Sequence, residues 1–273
     1  MRVIPLEDFA EDILSKAQRG LGLPTEKLSE LSNLSRNDIV LARKGQATQE
    51  IIQKIAKPLG LDPSKLQSSW EKNWFPRPQK IEGLFQINTP FYEDMSVNAY
   101  LFKIPDTNQA ILIDTGVDPR PVLNCLKENN LQLKATFITH THRDHIEALD
   151  AIQDAFKESS LYAPRKEPLE SAKLLSEGDL IELSSTISIR PIGTDGHSAG
   201  GMSYWIRTIN GPNLCFVGDS IFAGSMGGGM ISYTDALKNN KEKILTLPIT
   251  TVLCPGHGPM TTVQEELKQN PFF

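Results

Sequence analysis

The sequence predicts an α+β protein: two β-sheets with helices on their outer faces, preceded by a small all-α module. Three observations predict it. Residues 1–78 repeat apolar side chains at helical spacings of three and four. From residue 79 the chain changes to short β-rich runs separated by Gly, Pro, Asn and Asp. Those runs come both as hairpins and with helical stretches between them, a mixture that fits two sheets flanked by helices. The 273 residues suffice for a medium domain plus a small one. The change in composition divides them into residues 1–78 and 79–273.

In chain order, "TEKLSEL" and "SRNDIVLAR" read as short helices. Ile51, Ile52, Ile55, Ala56 and Leu59 line one face of a third, with Thr48 as its N-cap and Gly60 beyond its end. "WEKNWFPRPQK" follows as a linker. Its two prolines stop regular structure, and Trp70, Trp74 and Phe75 are expected to pack the module against the second domain near a site mouth. "NAYLFKI" and "AILIDTG" form a hairpin around "PDTNQ". "KATFIT", "TISIRPI", "MSYWIRTI", "NLCFVGD" and "TTVLCPG" are further strands. "PRPVLNCLKENN", "IEALDAIQDAF" and "YTDALKNNKEKILTL" are helices between strands, and "TTVQEELKQN" closes the chain as a helix. No internal repeat and no low-complexity tract is present.

A net charge of −5 argues against a general nucleic-acid binder and gives no reason to expect attraction to an anionic membrane. No apolar run approaches the ~20 residues that span a bilayer. "MRVIPLEDFAEDIL" lacks a basic start followed by an apolar core, so it does not read as a signal peptide. Cys125, Cys215 and Cys254 stand far apart with no CxxC pattern. The expectation is reduced thiols, each a small buried hydrophobe, in a cytoplasmic protein.

Three of the five histidines fall in "FITHTHRDH", residues 137–145. The strand "KATFIT" ends just before them, and side chains two apart in extended chain share a face. His140 and His142 can therefore reach one metal ion together, while Asp144 and His145 serve a second. The remaining ligands must come from later loops, and His197 in "GTDGHSAG", Asp219 in "FVGDS" and His257 in "CPGHGP" all lie at or after strand ends.

This ordered set resembles the metallo-β-lactamase superfamily over residues 79–273, with "LIDTG" and its Asp114 as a further matching motif. The resemblance implies a four-layer αββα sandwich. It implies His140, His142 and His197 on a first metal, Asp144, His145 and His257 on a second, and Asp219 bridging both. Asp114 becomes an outer or structural group. Asp144 and Asp219 are the catalytic candidates among the ligands. Two divalent ions bring +4 and two carboxylates return −2, so a bridging water is expected as hydroxide at neutral pH. Imidazole and carboxylate suit zinc, with iron or manganese as alternatives.

"GHSAG", residues 196–200, also matches the nucleophile elbow of serine hydrolases. An elbow needs a strand before it and a helix after it. Here "GTDG" precedes the serine and "AGGMSYWIRTI" follows it, which reads as strand. Ser198 is expected instead as a loop residue that fixes the backbone beside His197.

Within the superfamily, "FVGDSIFAGSMG" and "PGHGPMTTVQEELKQNPFF" resemble the glyoxalase II thioesterases. The expected reaction is hydrolysis of a small-molecule thioester, ester or lactone. Gly228 stands where the glyoxalase II pattern has arginine, and the C-terminal glutathione-contacting domain of that family is not expected here. Nuclease members carry a large extra domain, and flavodiiron members have Glu at the place of His142. Persulfide dioxygenases, with one iron on a subset of these ligands, share the motifs and stand as an alternative. The loop "GSMGGG", Gly224 to Gly229, lacks the Lys-Ser/Thr of a P-loop and reads as a mobile substrate loop or a plain turn.

The module resembles phage-repressor helix-turn-helix proteins from "LPTEKLSEL" to "DPSKL". That implies "SRNDIVLARKG" as a recognition helix and Arg36, Asn37, Arg43 and Lys44 as DNA contacts. A DNA-binding regulator with a ligand-sensing metal domain follows as another alternative. Residues 1–78 hold 12 basic and 10 acidic side chains, a net of +2, which leaves little surplus for phosphate neutralisation. The competing reading is a helical packing or dimerisation module, with homo-oligomers open.

Overall fold

The computed structural model describes residues 3–92, 95–185, 187–208 and 211–273. Five helices come first: α1 (Ala10–Gly20), α2 (Thr25–Ser32), α3 (Arg36–Ala42), α4 (Gln49–Ala56) and α5 (Pro63–Trp70). Then follow β1 (Leu84–Tyr92), β2 (Met95–Lys103), β3 (Gln109–Ile113), α6 (Pro119–Glu128), β4 (Gln132–Phe137), α7 (Arg143–Ile146), α8 (Leu149–Ala155), β5 (Ser160–Pro164) and β6 (Lys173–Leu175). The second half holds β7 (Ile181–Ser184), β8 (Ile187–Gly193), β9 (Met202–Thr208), β10 (Leu214–Gly218), α9 (Tyr233–Asn239), β11 (Val252–Pro255), β12 (Thr261–Thr262) and α10 (Val263–Gln269).

The strands form two six-stranded sheets, in the orders β1-β2-β3-β4-β5-β6 and β12-β11-β10-β9-β8-β7. Alternation along each strand decides the layers. On β2 and β3, Tyr100, Phe102, Ile111 and Ile113 face inward against Ile189, Tyr204, Ile206 and Phe216 of the other sheet. Their neighbours Ala99, Leu101, Ala110 and Leu112 face outward against Val122 and Leu126 of α6 and Ile152 of α8. Cys215, Val217 and Leu253 likewise pack outward, against Ile244 and Val263. The result is the expected αββα sandwich.

The predicted hairpin is β2 paired antiparallel with β3. The single helix read from residue 146 to 156 is broken: α7 stops at Ile146, and Ala148 (φ −89°, ψ 4°) leaves helical geometry before α8 begins. The helix read over residues 233–247 ends at Asn239 and continues as one π-type turn, Asn240–Ile244. Thr186 and Ile209, placed in strands by the sequence, lie outside the described residues. Cys215 and Cys254 are buried as expected, whereas Cys125 is half-buried. Among the described residues, no helix is long and apolar enough to cross a membrane.

The helical module does not close a core by itself. Ile13, Leu14, Leu28, Ile39, Ile52, Ile55 and Leu66 share one apolar cluster with Met226, Tyr233, Ala236 and Phe272. Gly20 makes room for the Tyr233 ring, which a Cβ there would meet at 2.3 Å. The Asp62 amide donates to the Pro271 carbonyl at 2.8 Å, and Lys65 Nζ donates to the carbonyls of Leu267 and Phe273. Of the three linker aromatics, Trp70 packs on this cluster and Trp74 lies over Gly224. Phe75 is exposed, contrary to expectation. The side chains of Arg36, Asn37, Arg43 and Lys44 are exposed, but Arg36 pairs with Glu26 at 3.1 Å and Arg43 donates to Gln18 at 3.5 Å.

Glu266 on α10 is fully buried behind the glycine-rich loop. It accepts from the Gly224 amide (3.0 Å), the Thr261 hydroxyl (2.8 Å) and Asn270 Nδ2 (2.8 Å). Burial raises its carboxyl from 4.5 to about 8, against those hydrogen bonds and with help from nearby Glu265. The folded chain therefore keeps a proton that the unfolded chain loses above 4.5, and stability falls as pH rises toward 8. Glu266→Gln removes this dependence. Urea unfolding of both proteins from pH 5 to 8 is expected to show the variant gaining at least about 1 kcal/mol on the wild type across that window. Two parallel curves would rule this out.

Candidate metal centre

Parallel pairing places the ligand candidates together. Gly218 at the end of β10 is in register with Pro255 at the end of β11, so Asp219 and the Gly256–His257 turn leave the second sheet side by side. In the first sheet, Ile113 pairs with Phe137, so Asp114 emerges beside the loop that carries His140 and His142. His142 is the N-cap of α7, and Asp144 and His145 lie in its first turn. His197 sits in the turn between β8 and β9.

All seven predicted ligands meet in the structure. Ligand atoms of His140, His142 and His197 lie within 4.8 Å of one another, and so do those of Asp144, His145 and His257. His142 Nδ1 is 3.1 Å from His140 Nε2 and 3.0 Å from His197 Nε2. His257 Nε2 is 3.2 Å from Asp144 Oδ2. Asp219 stands between the groups, 3.3 Å from His145 Nε2 and 3.4 Å from both His197 Nε2 and His257 Nε2.

The far side of each ring is fixed. His145 Nδ1 lies 2.7 Å from Asp114 Oδ2, His197 Nδ1 2.8 Å from the Gly228 carbonyl and His257 Nδ1 2.7 Å from the Ser96 carbonyl. Each acceptor takes the Nδ1 proton and turns Nε2 inward, the outer support that metal-ligating histidines carry. Asp114 also accepts from the Thr139 amide and hydroxyl, both at 2.7 Å. Its backbone is left-handed (φ 53°), a conformation that Asp tolerates and that its contacts hold in place.

The donor set fits divalent cations. Tetrahedral nitrogen ligands at about 2.0–2.1 Å from zinc stand about 3.3 Å apart, close to the spacings found here. His145 Nε2 and Asp219 Oδ1 are buried with no hydrogen-bond partner among the described residues, a need that a bound cation would meet. Without an ion, protons carry that charge. Burial depresses His145, but Asp219 and Asp114 outweigh it and raise the ring to about 10. Burial raises Asp219, but His257 and His145 hold it well below the carboxylate range.

Ser198 lies in the turn beside His197 with no strand directly before it and no helix directly after it, so no elbow forms. The glycine-rich loop is not an open turn: Gly224–Gly227 are buried. A Cβ on Gly227 would meet the Asp219 carbonyl at 1.8 Å, so only glycine lets the loop approach Asp219. The sequence did not single out Glu7, whose Oε2 lies 4.0 Å from His257 Nδ1, nor Asp8, Lys16 and Glu167 near the ligand loops.

Residues 92–257 match the metallo-beta-lactamase superfamily, and the chain belongs to it. It is 33% identical over 206 residues to the probable metallo-hydrolase YqgX of Bacillus subtilis, covering 66% of this chain and 93% of that protein. It is 29% identical to a hydroxyacylglutathione hydrolase of Aeromonas salmonicida over 63% of this chain, which spans only 64% of that relative. Among solved structures, the BLEG-1 B3 metallo-beta-lactamase superposes with a TM-score of 0.60 at 30% identity, covering 69% of this chain and 98% of that one. TTHA1623, solved in a di-iron-bound form, gives 0.57 at 27% identity, covering 69% and 100%. The chain is thus a metallo-hydrolase superfamily member with histidine and aspartate groups that could hold metal.

Proposed function

We propose that the chain is a binuclear metallohydrolase of the glyoxalase II type that cleaves a small-molecule thioester, ester or lactone. The observation that carries this reading is the pair of three-ligand groups with Asp219 between them. His140, His142 and His197 would hold one ion, and Asp144, His145 and His257 the other, with Asp219 shared. When bound, the two ions supply Lewis acidity for the substrate carbonyl and a water that is deprotonated at neutral pH. The protein's own part is orientation. Asp114, the Gly228 carbonyl and the Ser96 carbonyl lock three imidazoles in the tautomer that presents Nε2. Buried Asp219 and half-buried Asp144 would balance part of the cationic charge and leave a net positive centre for developing negative charge on substrate.

The hydroxyacylglutathione hydrolase relative favours a thioester. A charged glutathione half is disfavoured: Gly228 offers no cation, and Met230 and Ile231 beyond it are exposed apolar side chains. Zinc is the first choice of metal, and the di-iron neighbour supports iron equally well in chemical terms.

The test is metal content per chain on protein purified without added metal or chelator, followed by an acyl-thioester, aryl-ester and lactone panel. About two ions and hydrolysis of one class are expected. One iron per chain with oxygen uptake on persulfides would replace this reading with the dioxygenase. For residues 1–78, we propose a packing module that supports the metal domain. The pairing of Arg36 and Arg43 within the module and its shared core with Tyr233 and Phe272 favour this over DNA recognition.

A further inference from the structure

The segment between β5 and β6 carries a carboxylate that no sequence pattern singles out. Glu167 is half-buried. Its Oε2 accepts from the Thr141 amide at 2.7 Å and from the Thr141 hydroxyl at 2.9 Å. Its Oε1 accepts from the Gly200 amide at 2.7 Å. Thr141 lies between His140 and His142, and Gly200 lies three residues beyond His197.

The two loops come from different sheets. One follows β4 in the first sheet, and the other joins β8 to β9 in the second. A second tie runs from the Met202 amide to the Thr139 carbonyl at 2.9 Å. Glycine at 200 allows the approach: a Cβ there would stand 3.0 Å from both the Glu167 Cγ and its amide nitrogen. Burial raises the Glu167 carboxyl, but the Gly200 and Thr141 amides, with the Thr141 hydroxyl, outweigh it and lower it from the ordinary glutamate value.

We propose that Glu167 is the positioning residue of the first metal group: it sets where His197 stands relative to His140 and His142, without touching metal or substrate. This rests on the metal-centre reading above. The chemistry of the three bonds makes the claim specific. All three partners are donors, so both oxygens must accept. A carboxylate does this. A carboxamide accepts at one end only and sets its own N–H groups against donors at the other. Glutamine therefore breaks one of the two loop ties, and the charge-assisted bonds weaken at the end that remains.

The experiment is a Co(II) titration of chelator-stripped full-length protein, read by visible ligand-field absorption against a competing chelator. Wild type is expected to take up two equivalents. Glu167→Gln and Glu167→Ala are expected to take up one with unchanged affinity. The other should bind about 10–100-fold more weakly, the range for losing an outer support of a ligand, with an altered spectrum. Variants that bind both ions with wild-type affinity and spectrum overturn the role, as does an equal loss at both groups. Wild type that takes up no cobalt overturns the metal-centre reading instead. If Glu167→Ala fails to fold, Thr141→Val removes one of the three bonds at nearly constant volume. A selective weakening of one ion then supports the role, and unchanged binding of both overturns it.

Discussion

Asp219→Ala is expected to abolish hydrolysis and to strip the centre of at least one ion. Asp219 lies within 3.4 Å of imidazoles from both groups. It is also one of just two carboxylates among the seven. Removing it leaves His140, His142 and His197 as an all-neutral set and puts the remaining ionic balance on Asp144. Loss of an outer support already lowers metal affinity about 10–100-fold, so loss of a shared anionic ligand should exceed 100-fold. Removal of one preorganised electrostatic group typically lowers kcat by about 10²–10³, which sets a floor for the loss in activity. The fold can tolerate the change. His145 and His257, whose charged forms Asp219 supports, can shed protons rather than stay buried as unpaired cations. Metal analysis, kcat and thermal unfolding on the same preparation decide the matter. A variant that keeps two ions and more than about a tenth of wild-type activity, above that floor, would remove Asp219 from the bridging position.

The contrast between what the sequence revealed and what it hid has a physical basis. The ligand candidates were legible because metal binding demands scarce residue types at strand ends, and five histidines leave few ways to arrange them. The β2–β3 hairpin was legible because apolar alternation and a turn-rich loop are local signals. β1 was not. Its sequence "LFQINTPFY" interrupts the apolar pattern with Gln86, Asn88 and Thr89 and contains Pro90, so its pairing with β2 comes from tertiary context rather than propensity. The short strands β5, β6 and β7 carry too few residues to show a period. Glu167 was hidden for a different reason. A lone glutamate in a loop looks like any solvated charge, and its partners at 141 and 200 are chosen by the packing of two sheets. The same holds for the module's apolar faces. Their period announced helices, but nothing local named Met226, Tyr233 and Phe272 as what they cover.

That last point carries the second large prediction. Deletion of residues 1–78 is expected to leave residues 79–273 unable to hold a stable fold. The deletion uncovers Met226, Tyr233 and Phe272, all buried in the shared cluster. Burial of a side chain of that size is worth about 1.5–3 kcal/mol. Three of them come to about 5–9 kcal/mol, against a net domain stability of about 5–15 kcal/mol. Polar ties go with them. Asp8 accepts from the Ser225 hydroxyl at 2.6 Å and pairs with Lys16, which in turn donates to the Met226 carbonyl at 3.0 Å. These bonds pin the loop that leads from Asp219 to the Gly228 carbonyl behind His197. Loss of the module should therefore reach the metal centre even if some fold survives. The expected observation is aggregation, or a melting point lowered by more than about 10 °C, together with weakened binding at the group containing His197. A truncated protein with wild-type melting point, metal content and kinetics would make the two parts independent. The exposed face of α3, with Arg36, Asn37, Arg43 and Lys44, would then need a task of its own, and sequence-specific DNA would be the first partner to try.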